Sequence, residues 1–337
     1  MIKEILHADL TGRNSFGVAA VADRIVEFDD ATSLRDYLAE HEEIRRGKTA
    51  VLGGGNNILF TTDFHGTLLH PTGTDFRVTG TSDDRTTVRA AAGMDWEDFV
   101  ERCIGLGLWG AENLTGIPGT VGAAPVQNIG AYGAEAKDIV ESVETLDLAT
   151  LKEASIAGCH CGFGYRESIF KGILSGRTVI TAVTFNLSRT PRPNLGYAAL
   201  AREVELAGGP SLENIRATVR RIRGGKLPDP AVTGNAGSFF KNPVVAEDVA
   251  ATIRREYPDM PSFPAQEGVK IPAGWLIEKT GWKGAAFGRA GVYDKQALIL
   301  VNLGGASGSD ITALARRIIR DVQTRFGIRI ATEVNIW

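Results

Sequence analysis

The stretch GNAGSFFKNP, residues 234–243, sets one serine among small residues, with a lysine three positions later. Ser238 could act as a nucleophile, as a proton donor or only as a turn residue. Ser238 and Lys241 form S-x-x-K, and residues 279–281 form K-T-G. Both are elements of serine acyl-transfer enzymes, so this class is one alternative.

The context of both motifs argues against acyl transfer. S-x-x-K should open a helix, but Pro243 follows at once, and K-T-G should lie on a strand. Instead, PAGWLIEKTG, residues 272–281, has the apolar spacing of a helix that ends at Gly281. The S-D-N element is absent between the two motifs.

Two further charged residues stand in unusual surroundings. Arg166 lies among aromatic and small residues in GFGYRESIFK, and partial burial there would require an anionic partner. The alternative is a structural salt bridge to Glu167 or Glu135. The C-terminal alternation predicts a strand with one apolar face, formed by Ile328, Ile330, Val334 and Ile336. Glu333 lies on the other face, where a solvent-facing glutamate is the simpler interpretation.

Glycine is unusually frequent, with 40 of 337 residues, and it clusters at 52–57, 116–135 and 234–238. Such clusters favour loops that cradle a large ligand, and tight turns in a strand-rich protein are the alternative. GGGNNI, residues 53–58, has two of the three glycines of the dinucleotide-binding fingerprint, but a strand rather than a helix follows. We therefore reject a Rossmann fold and expect backbone N–H groups here to contact phosphate.

Composition limits the function classes. A net charge of −3 gives no electrostatic case for nucleic acid or for an anionic membrane. No apolar run reaches the roughly 18 residues of a membrane span, and the first residues lack the pattern of a secretion signal. The three cysteines, an odd and low number, favour a reducing cytosol. Cys159, His160 and Cys161 are too close in sequence to close one tetrahedral metal site, so no metal is expected.

Hydrophobic spacing predicts the elements that must position these residues. Two or three domains are expected for this length, with one boundary at the glycines and prolines of 224–230. A Ser211 cap begins the helix before this boundary, and an Asp95 cap begins an earlier helix. Helices are predicted at 32–46, 96–104, 212–223, 245–256, 272–280 and 309–326, and strands on both sides of GGGNN and at 140–149, 177–188, 296–304 and 328–336. The segment 190–200 is predicted to be a loop.

Read in order, several stretches closely resemble the UDP-N-acetylenolpyruvoylglucosamine reductase family, whose members are also called UDP-N-acetylmuramate dehydrogenases. The matching stretches are NSFG (14–17), LGGGNNILF (52–60), ENLTGIPGTVGAAPVQNIGAYGAE (112–135), FGYRESIFK (163–171), KLPDP (226–230), GNAGSFFKNP (234–243), AGWLIEKTGWKG (273–284), QALILVN (296–302) and TEV (332–334). They span almost the whole chain in family order. NLGYAAL and APVQNIGAYG resemble the branch that carries a tyrosine-bearing substrate loop.

The resemblance implies an α+β fold, namely an FAD-binding fold of the vanillyl-alcohol-oxidase type with two α/β subdomains, plus a smaller α/β substrate-binding domain. The first subdomain would comprise residues 1–72, completed by the C-terminal strand 328–337. The second would comprise 73–226, and the substrate-binding domain 227–327.

The resemblance also implies a reaction. NADPH would reduce non-covalently bound FAD, which would then deliver hydride to the vinyl carbon of UDP-N-acetylglucosamine enolpyruvate, giving UDP-N-acetylmuramate for peptidoglycan synthesis. Arg166 and Glu333 would stabilise the enolate, which requires Glu333 to be protonated or part of a hydrogen-bond network. Ser238 would supply the proton.

By the same resemblance, other residues would contact the ligands. FAD would lie against Gly53, Gly54, Gly55, Asn56, Asn57, Ile117, Pro118, Gly119 and Gly122, and the substrate against Tyr197, Lys226, Asn242 and Gln296. Asn335 stands where the family commonly has arginine, and Ala123 and Ala124 stand where small polar residues are common. A monomeric enzyme in the bacterial cytoplasm is expected, acting on small molecules.

Overall fold

The computed structural model describes residues 1–265 and 267–337, and over these residues the chain forms eight helices and nineteen strands. The helices are α1 Ala31–Glu40, α2 Glu42–Arg46, α3 Trp96–Gly105, α4 Ala198–Leu206, α5 Leu212–Lys226, α6 Glu247–Glu256, α7 Ala273–Lys279 and α8 Gly308–Phe326. The strands are β1 Ile2–Asp9, β2 Val21–Phe28, β3 Thr49–Val51, β4 Ile58–Leu59, β5 Phe64–Pro71, β6 Phe76–Thr81, β7 Arg85–Ala91, β8 Gly130–Ala131, β9 Ala134–Glu135, β10 Val140–Asp147, β11 Glu153–Ala157, β12 Thr178–Ser188, β13 Val244–Val245, β14 Phe263–Ala265, β15 Gly268–Lys270, β16 Ala286–Phe287, β17 Ala290–Val292, β18 Leu300–Asn302 and β19 Asn335–Ile336.

The chain folds into two compact units. The first comprises residues 1–8, 22–54 and 65–223, and the second comprises 9–21, 55–64 and 224–337. Each unit is therefore assembled from segments that are distant in sequence. The division into three domains drawn from the resemblance stays a prediction.

Two sheets organise the first unit. One has the strand order β1-β2-β5-β3, with β3 parallel to β5. The other has the order β11-β10-β12-β7-β6 and is antiparallel throughout. Helix α3 covers this second sheet because Trp96 and Phe99 repeat at helical spacing and pack against Phe185. The side chain of Asp95 accepts hydrogen bonds from two N–H groups of the first turn, which confirms the predicted cap.

Small sheets and three helices form the second unit. Strands β13, β15 and β14 make one sheet, β16, β17 and β18 make another, and β19 pairs in parallel with β4. Helix α8 begins with a capping box of Ser307 and Asp310 and ends at Gly327, whose φ of +69° is left-handed. Its buried side chains recur every three or four residues, as the sequence predicts.

Three predictions of local structure differ from the structure. The helix predicted at 32–46 is interrupted at His41, which is not helical and separates α1 from α2. Helix α5 continues through Gly224 and Gly225 to Lys226, and α4 begins at Ala198, inside the segment predicted to be a loop. For α1, α2 and α5 the helix was predicted and only its bounds differ, because helix ends depend on contacts that the local pattern does not show. Helix α4 was not predicted at all, so the loop prediction is wrong from Ala198 onward.

Candidate active site

Ser238 lies on an extended segment of the second unit. The N–H of the next residue, Phe239, donates to the carbonyl oxygen of Leu298 at 2.8 Å. The carbonyl oxygen of Phe239 accepts from the N–H of Glu333, also at 2.8 Å. Main-chain bonds on two sides therefore fix the backbone beside Ser238 and bring Glu333 onto a neighbouring segment. Both residues are half-buried.

The turn that precedes Ser238 is held by a buried asparagine. Gly237 has a φ of +65°, a conformation that glycine adopts without strain, and its N–H donates to Asn235 Oδ1 at 3.0 Å. Asn235 Nδ2 donates to the carbonyl oxygens of Thr233, at 2.9 Å, and Pro228, at 3.2 Å. Sequence reasoning missed Asn235, although it lies within the quoted motif.

The surroundings of Ser238 do not match an acyl-transfer site. Ser238 lies outside helical structure, so S-x-x-K does not open a helix. Lys279 and Thr280 lie at the C-terminal end of α7 rather than on a strand. The structure therefore confirms both predictions, namely that S-x-x-K does not open a helix and that K-T-G follows a helix instead of lying on a strand.

Glu333 is held close to the predicted cofactor loop within the same unit. Its carbonyl oxygen accepts from Asn57 Nδ2 at 3.4 Å, and Asn57 O accepts from the main chain and the side chain of Asn335, at 3.0 and 3.1 Å. The predicted strand over 328–336 is regular only at β19, and Ile336 is exposed rather than buried. Asn335, the departure from the family pattern, thus binds a residue of the predicted FAD site.

Asn242 and Gln296 lie at the start of α7. Asn242 Oδ1 accepts from the N–H of Ala273 at 2.9 Å, and Gln296 Oε1 accepts from the N–H of Leu298 at 3.3 Å. A Cβ added to Gly274 would lie 3.1 Å from Gln296 Oε1, so this glycine permits the close approach of the glutamine. Because each oxygen accepts a main-chain bond, the donor end of each amide is defined. Donor groups suit phosphate or carbonyl oxygens.

Arg166 belongs to the first unit and occupies a tight turn. The N–H and C=O of Gly164 bond with the C=O and N–H of Glu167 at 3.0 and 3.3 Å, which leaves Tyr165 and Arg166 as the two central residues. Arg166 has a φ of +60°, an unusual conformation for arginine. Its guanidinium donates to the carbonyl oxygens of Asn128, at 3.4 Å, and Gly130, at 3.2 Å.

Tyr197 packs in the first unit against a tyrosine that the sequence reasoning did not select. The rings of Tyr197 and Tyr132 meet edge to face with centroids 5.5 Å apart. Asn113 Nδ2 donates to the carbonyl oxygens of Tyr132 and Asn194, at 2.9 and 2.8 Å, and so ties the two loops together. Desolvation raises the pKa of Tyr132, and the positive charge of Arg223 acts in the opposite direction. Lys226 is exposed at the last position of α5, within the second unit.

Gly53 and Thr120 provide a test of the fit to FAD. Thr120 Oγ1 is buried and has no hydrogen-bond partner among residues 1–265 and 267–337. A Cβ on Gly53 would lie 3.1 Å from this oxygen, so the glycine keeps the backbone close to the hydroxyl. A ligand that supplies hydrogen-bonding oxygens would satisfy the hydroxyl. These residues therefore fit a bound flavin nucleotide, and Gly54 and the segment Ile117–Gly122 lie in the same unit.

Gly55, Asn56 and Asn57 belong to the second unit. Gly55 has a φ of +68°, and a Cβ there would lie 2.1 Å from the carbonyl oxygen of Arg13. The N–H of Ser15 donates to the carbonyl oxygen of Gly55 at 3.1 Å. Only glycine can hold the loop against this backbone.

The peptide groups of Gly116, the residue before the second predicted FAD loop at Ile117–Gly122, are held on both sides. The N–H of Gly116 donates to Glu97 Oε2 at 2.6 Å, and its carbonyl oxygen accepts from Arg223 Nε at 3.0 Å. Burial would raise the pKa of Glu97, but the bonds from Gly116, Arg216 and Arg220 outweigh burial, so the pKa lies below its ordinary value. Burial also lowers the pKa of Arg223. Glu97 and Arg223 thus form a clamp on Gly116. Sequence reasoning missed this clamp because its members are far apart in the chain.

Other observations bear on the excluded classes. Within the part of the chain that the structure describes, no helix is long and apolar enough to cross a membrane, and no cluster of three metal-binding side chains occurs. Cys161 is buried, and its Sγ donates to the carbonyl oxygen of Ala157 at 3.4 Å.

Comparison with known proteins identifies the family. A model described as "UDP-N-acetylenolpyruvoylglucosamine reductase, C-terminal domain" matches residues 229–337, and one described as "FAD binding domain" matches 22–151. The chain is 46% identical over 331 residues to the UDP-N-acetylenolpyruvoylglucosamine reductase of Neisseria gonorrhoeae, covering 97% of this chain and 95% of that protein. The chain belongs to the UDP-N-acetylenolpyruvoylglucosamine reductase family.

Further matches agree. The reductase of Bacteroides fragilis is 43% identical over 327 residues, covering 97% of this chain and 98% of that protein. The crystal structure of the reductase from Thermus caldophilus matches with a TM-score of 0.68 at 24% identity, covering 100% of this chain and 99% of that chain, and shows the same fold.

The family membership confirms several predictions. The chain is an FAD-dependent oxidoreductase that uses NADPH, and it has the α+β fold with an FAD-binding fold of the vanillyl-alcohol-oxidase type. Its reaction is the reduction of UDP-N-acetylglucosamine enolpyruvate in peptidoglycan synthesis. No finding supports the acyl-transfer alternative. Among the predicted site residues, the second unit brings Ser238 close to Glu333 and Asn242 close to α7, whereas Arg166 and Tyr197 belong to the first unit.

Proposed function

We propose that Arg166, Ser238 and Glu333 carry the reduction of the enolpyruvyl group in this reductase. The observation that supports this most directly is the main-chain bond between Glu333 and Phe239, which holds the glutamate beside the serine. When bound, FAD would supply hydride-transfer chemistry, with NADPH as the hydride source and the terminal vinyl carbon of the substrate as the acceptor. The protein must then stabilise the negative charge at the neighbouring carbon and supply a proton to this carbon.

Arg166 and Glu333 would stabilise the negative charge that develops on the substrate. Hydride addition leaves an electron pair on the carbon next to the carboxylate, and this charge spreads onto the carboxylate oxygens as an enolate. A guanidinium is permanently cationic and can donate two parallel hydrogen bonds to such oxygens. A protonated Glu333, or one within a hydrogen-bond network, would donate a further bond. Fixed donors of this kind lower the barrier because they need no reorganisation during the reaction.

Ser238 would donate the proton to the substrate carbon. Its Oγ–H bond breaks as a C–H bond forms at the carbon that carries the electron pair, and solvent then returns a proton to the oxygen. A hydroxyl is a weak acid, so this transfer requires a strongly basic carbon and a fixed geometry. The two main-chain bonds of Phe239 and the turn at Gly237 would supply that geometry.

Two loops would hold FAD. Gly53, Gly54 and the Ile117–Gly122 segment would approach the cofactor, with the Thr120 hydroxyl bonding to one of its oxygens. Gly55, Asn56 and Asn57 would supply main-chain donors.

Asn242 and Gln296 would donate amide hydrogens to oxygens of the UDP group, since their own oxygens accept main-chain bonds. Lys226 would add a positive charge for the diphosphate, and Tyr197 would lie against the nucleotide part. We further propose that the enzyme acts as a monomer, and that it does so in the cytoplasm. Light scattering of the purified enzyme tests the first of these two statements.

Absorbance spectroscopy tests the proposal as a whole. The purified holoenzyme should show a flavin spectrum that bleaches on anaerobic addition of NADPH and recovers on addition of UDP-N-acetylglucosamine enolpyruvate. Substitution of Arg166, Ser238 or Glu333 should impair the recovery and spare the bleaching. If all three variants recover at the rate of the unaltered enzyme, the proposed roles are wrong.

A further inference from the structure

Asn128 is a fully buried polar residue that has no role in the reaction proposed above. Its exposed fraction is 0%, and its φ is +46°, a left-handed conformation that asparagine tolerates better than most residues. Asn128 Nδ2 donates to the carbonyl oxygen of Gly164 at 3.0 Å and to Glu135 Oε2 at 3.1 Å. Asn128 Oδ1 accepts from the N–H of Lys137 at 2.9 Å. Both amide hydrogens and the amide oxygen are thus used.

Asn128 supports both the backbone turn and the guanidinium of Arg166. The side chain of Asn128 holds Gly164, the residue that opens the turn carrying Arg166. The backbone carbonyl of Asn128 accepts from Arg166 Nη1 at 3.4 Å, and the carbonyl of Gly130, two residues later, accepts from Nη2 at 3.2 Å. One residue therefore contacts the arginine at its backbone turn and at its charged end.

The conformation of Arg166 makes such support necessary. A left-handed φ is unfavourable for a residue with a side chain, and it persists only where the surroundings impose it. The mutual bonds of Gly164 and Glu167 impose the turn, and Asn128 fixes the position of Gly164.

We propose that Asn128 is a positioning residue that holds the Arg166 guanidinium in the orientation needed to meet the charge on the substrate. This inference rests on the proposed role of Arg166. Asn128 itself acts through the arginine rather than on the substrate. An aspartate could not replace it, because the oxygen in place of Nδ2 cannot donate and would face the carbonyl oxygen of Gly164 and the carboxylate of Glu135.

The test uses Asn128→Gly, which removes the side chain but accepts the left-handed backbone. In anaerobic stopped-flow experiments on the holoenzyme, we expect flavin reduction by NADPH to stay within about twofold of the unaltered rate. Flavin reoxidation by the enolpyruvyl substrate should slow roughly 10- to 100-fold, as expected for a misplaced charge. Asn128→Asp keeps the acceptor for Lys137 and should show the same selective loss, so the result does not depend on one variant folding well.

A double-variant cycle with Arg166→Met separates positioning from a general structural effect. In the Arg166→Met background, Asn128→Gly should slow reoxidation little further, because the group that it positions is already absent. Asn214→Gly is the matched control. Asn214, in the first turn of α5, also donates from Nδ2 to a glycine carbonyl oxygen, that of Gly209. This variant should leave both half-reactions unchanged.

The outcomes distinguish the proposed role of Arg166 from that of Asn128. Unchanged reoxidation in Arg166→Met would overturn the proposed role of the arginine. A slow Arg166→Met variant together with a normal Asn128→Gly variant, or multiplicative losses in the double variant, would overturn the positioning role of Asn128 and leave that of Arg166 intact.

Discussion

The N–H of Glu333 donates to the carbonyl oxygen of Phe239 at 2.8 Å, one residue beyond Ser238. This bond ties the residue proposed to carry charge to the residue proposed to carry the proton. Neither side chain takes part in the bond, so substitution of either side chain can leave the backbone pairing in place. The two roles can therefore be tested by side-chain changes that preserve the fold.

Ser238→Ala should stop proton delivery and leave flavin reduction nearly normal. We expect reoxidation by the enolpyruvyl substrate to slow roughly 10²- to 10⁴-fold, the usual contribution of a positioned acid. Anaerobic stopped-flow absorbance measures both steps. Ser211→Ala, which removes the serine that accepts from the N–H of Asn214 at the start of α5, is the control and should affect neither step. Equal slowing of both steps by Ser238→Ala would remove the serine from the proton-transfer role.

Arg166→Met should likewise impair reoxidation and spare reduction, because the guanidinium is needed only when charge develops on the substrate. Arg166→Lys should recover part of the lost rate, since it keeps the charge but loses the planar pair of donors. Arg189→Met is the comparison, because Arg189 also donates to a backbone carbonyl in the first unit, that of Ser82 at 3.1 Å, and should be neutral. Full activity of Arg166→Met would contradict the assignment.

Gly53→Ala should weaken FAD binding. The new methyl group would lie 3.1 Å from Thr120 Oγ1, so either the loop or the hydroxyl must move. Fluorescence titration of the deflavinated enzyme with FAD should show an affinity reduced by about tenfold, equivalent to about 1.4 kcal/mol. Gly105→Ala, where an added Cβ would meet nothing within 4 Å, should bind FAD normally. Normal binding by Gly53→Ala would show that this approach does not matter.

Gly274→Ala should raise the KM for the enolpyruvyl substrate through Gln296. The added Cβ would lie 3.1 Å from Gln296 Oε1 and would displace the amide. Since the change affects binding rather than chemistry, kcat should fall less than KM rises. Steady-state kinetics with varied substrate measures the split. Gly224→Ala in α5, with no atom within 4 Å of the added Cβ, serves as the reference. A fall in kcat alone would argue against a binding role for Gln296.

Glu97 should make stability depend on pH. Its pKa in the folded protein is lower than the ordinary value of 4.5, so the unfolded chain binds its proton first as the pH falls. The stabilisation is therefore present above pH 4.5 and is lost as the pH falls through the lower, folded value. Urea unfolding between pH 7 and acid should show a smaller pH dependence for Glu97→Gln than for the unaltered chain.

Glu101→Gln tests whether this effect belongs to the clamp. Glu101 lies on the same helix and binds the same Arg216 at 2.9 Å, but its side chain is 62% exposed. An exposed pair contributes little, so this variant should keep the pH dependence of the unaltered chain. Identical behaviour of the two variants would contradict the assignment to Glu97.

Local patterns predicted the elements that carry their own signals. The Asp95 cap and the helices α3 and α8 follow from local signals in the sequence, and the structure has them. The Ser307 capping box of α8 was not predicted. The C-terminal alternation was less informative. Ile328, Ile330 and Val334 are buried as predicted, but the segment bonds as a regular strand only at β19. Alternation reports which side chains are buried, not which backbone groups find partners.

The supporting residues of the site could not be predicted in this way. Asn128 and Gly164 are 36 positions apart, and Glu97 and Gly116 are 19 apart. Bonds between a side chain and a distant backbone group leave no periodic trace in the sequence. The resemblance supplied the family and the fold, and the site residues that it implies stay predictions for the experiments above.

The pairing of early and late residues in the second unit affects how the protein folds. Asn57 meets Glu333, and Thr61 meets Trp337, each across 276 positions of the chain. Contacts at such separations form slowly, because a large loop must close before they contribute any energy. During synthesis, the segment around Asn57 must wait until Glu333 has left the ribosome before this bond can form. The proposed position of Glu333 beside Ser238 is thus completed late in the folding of this unit.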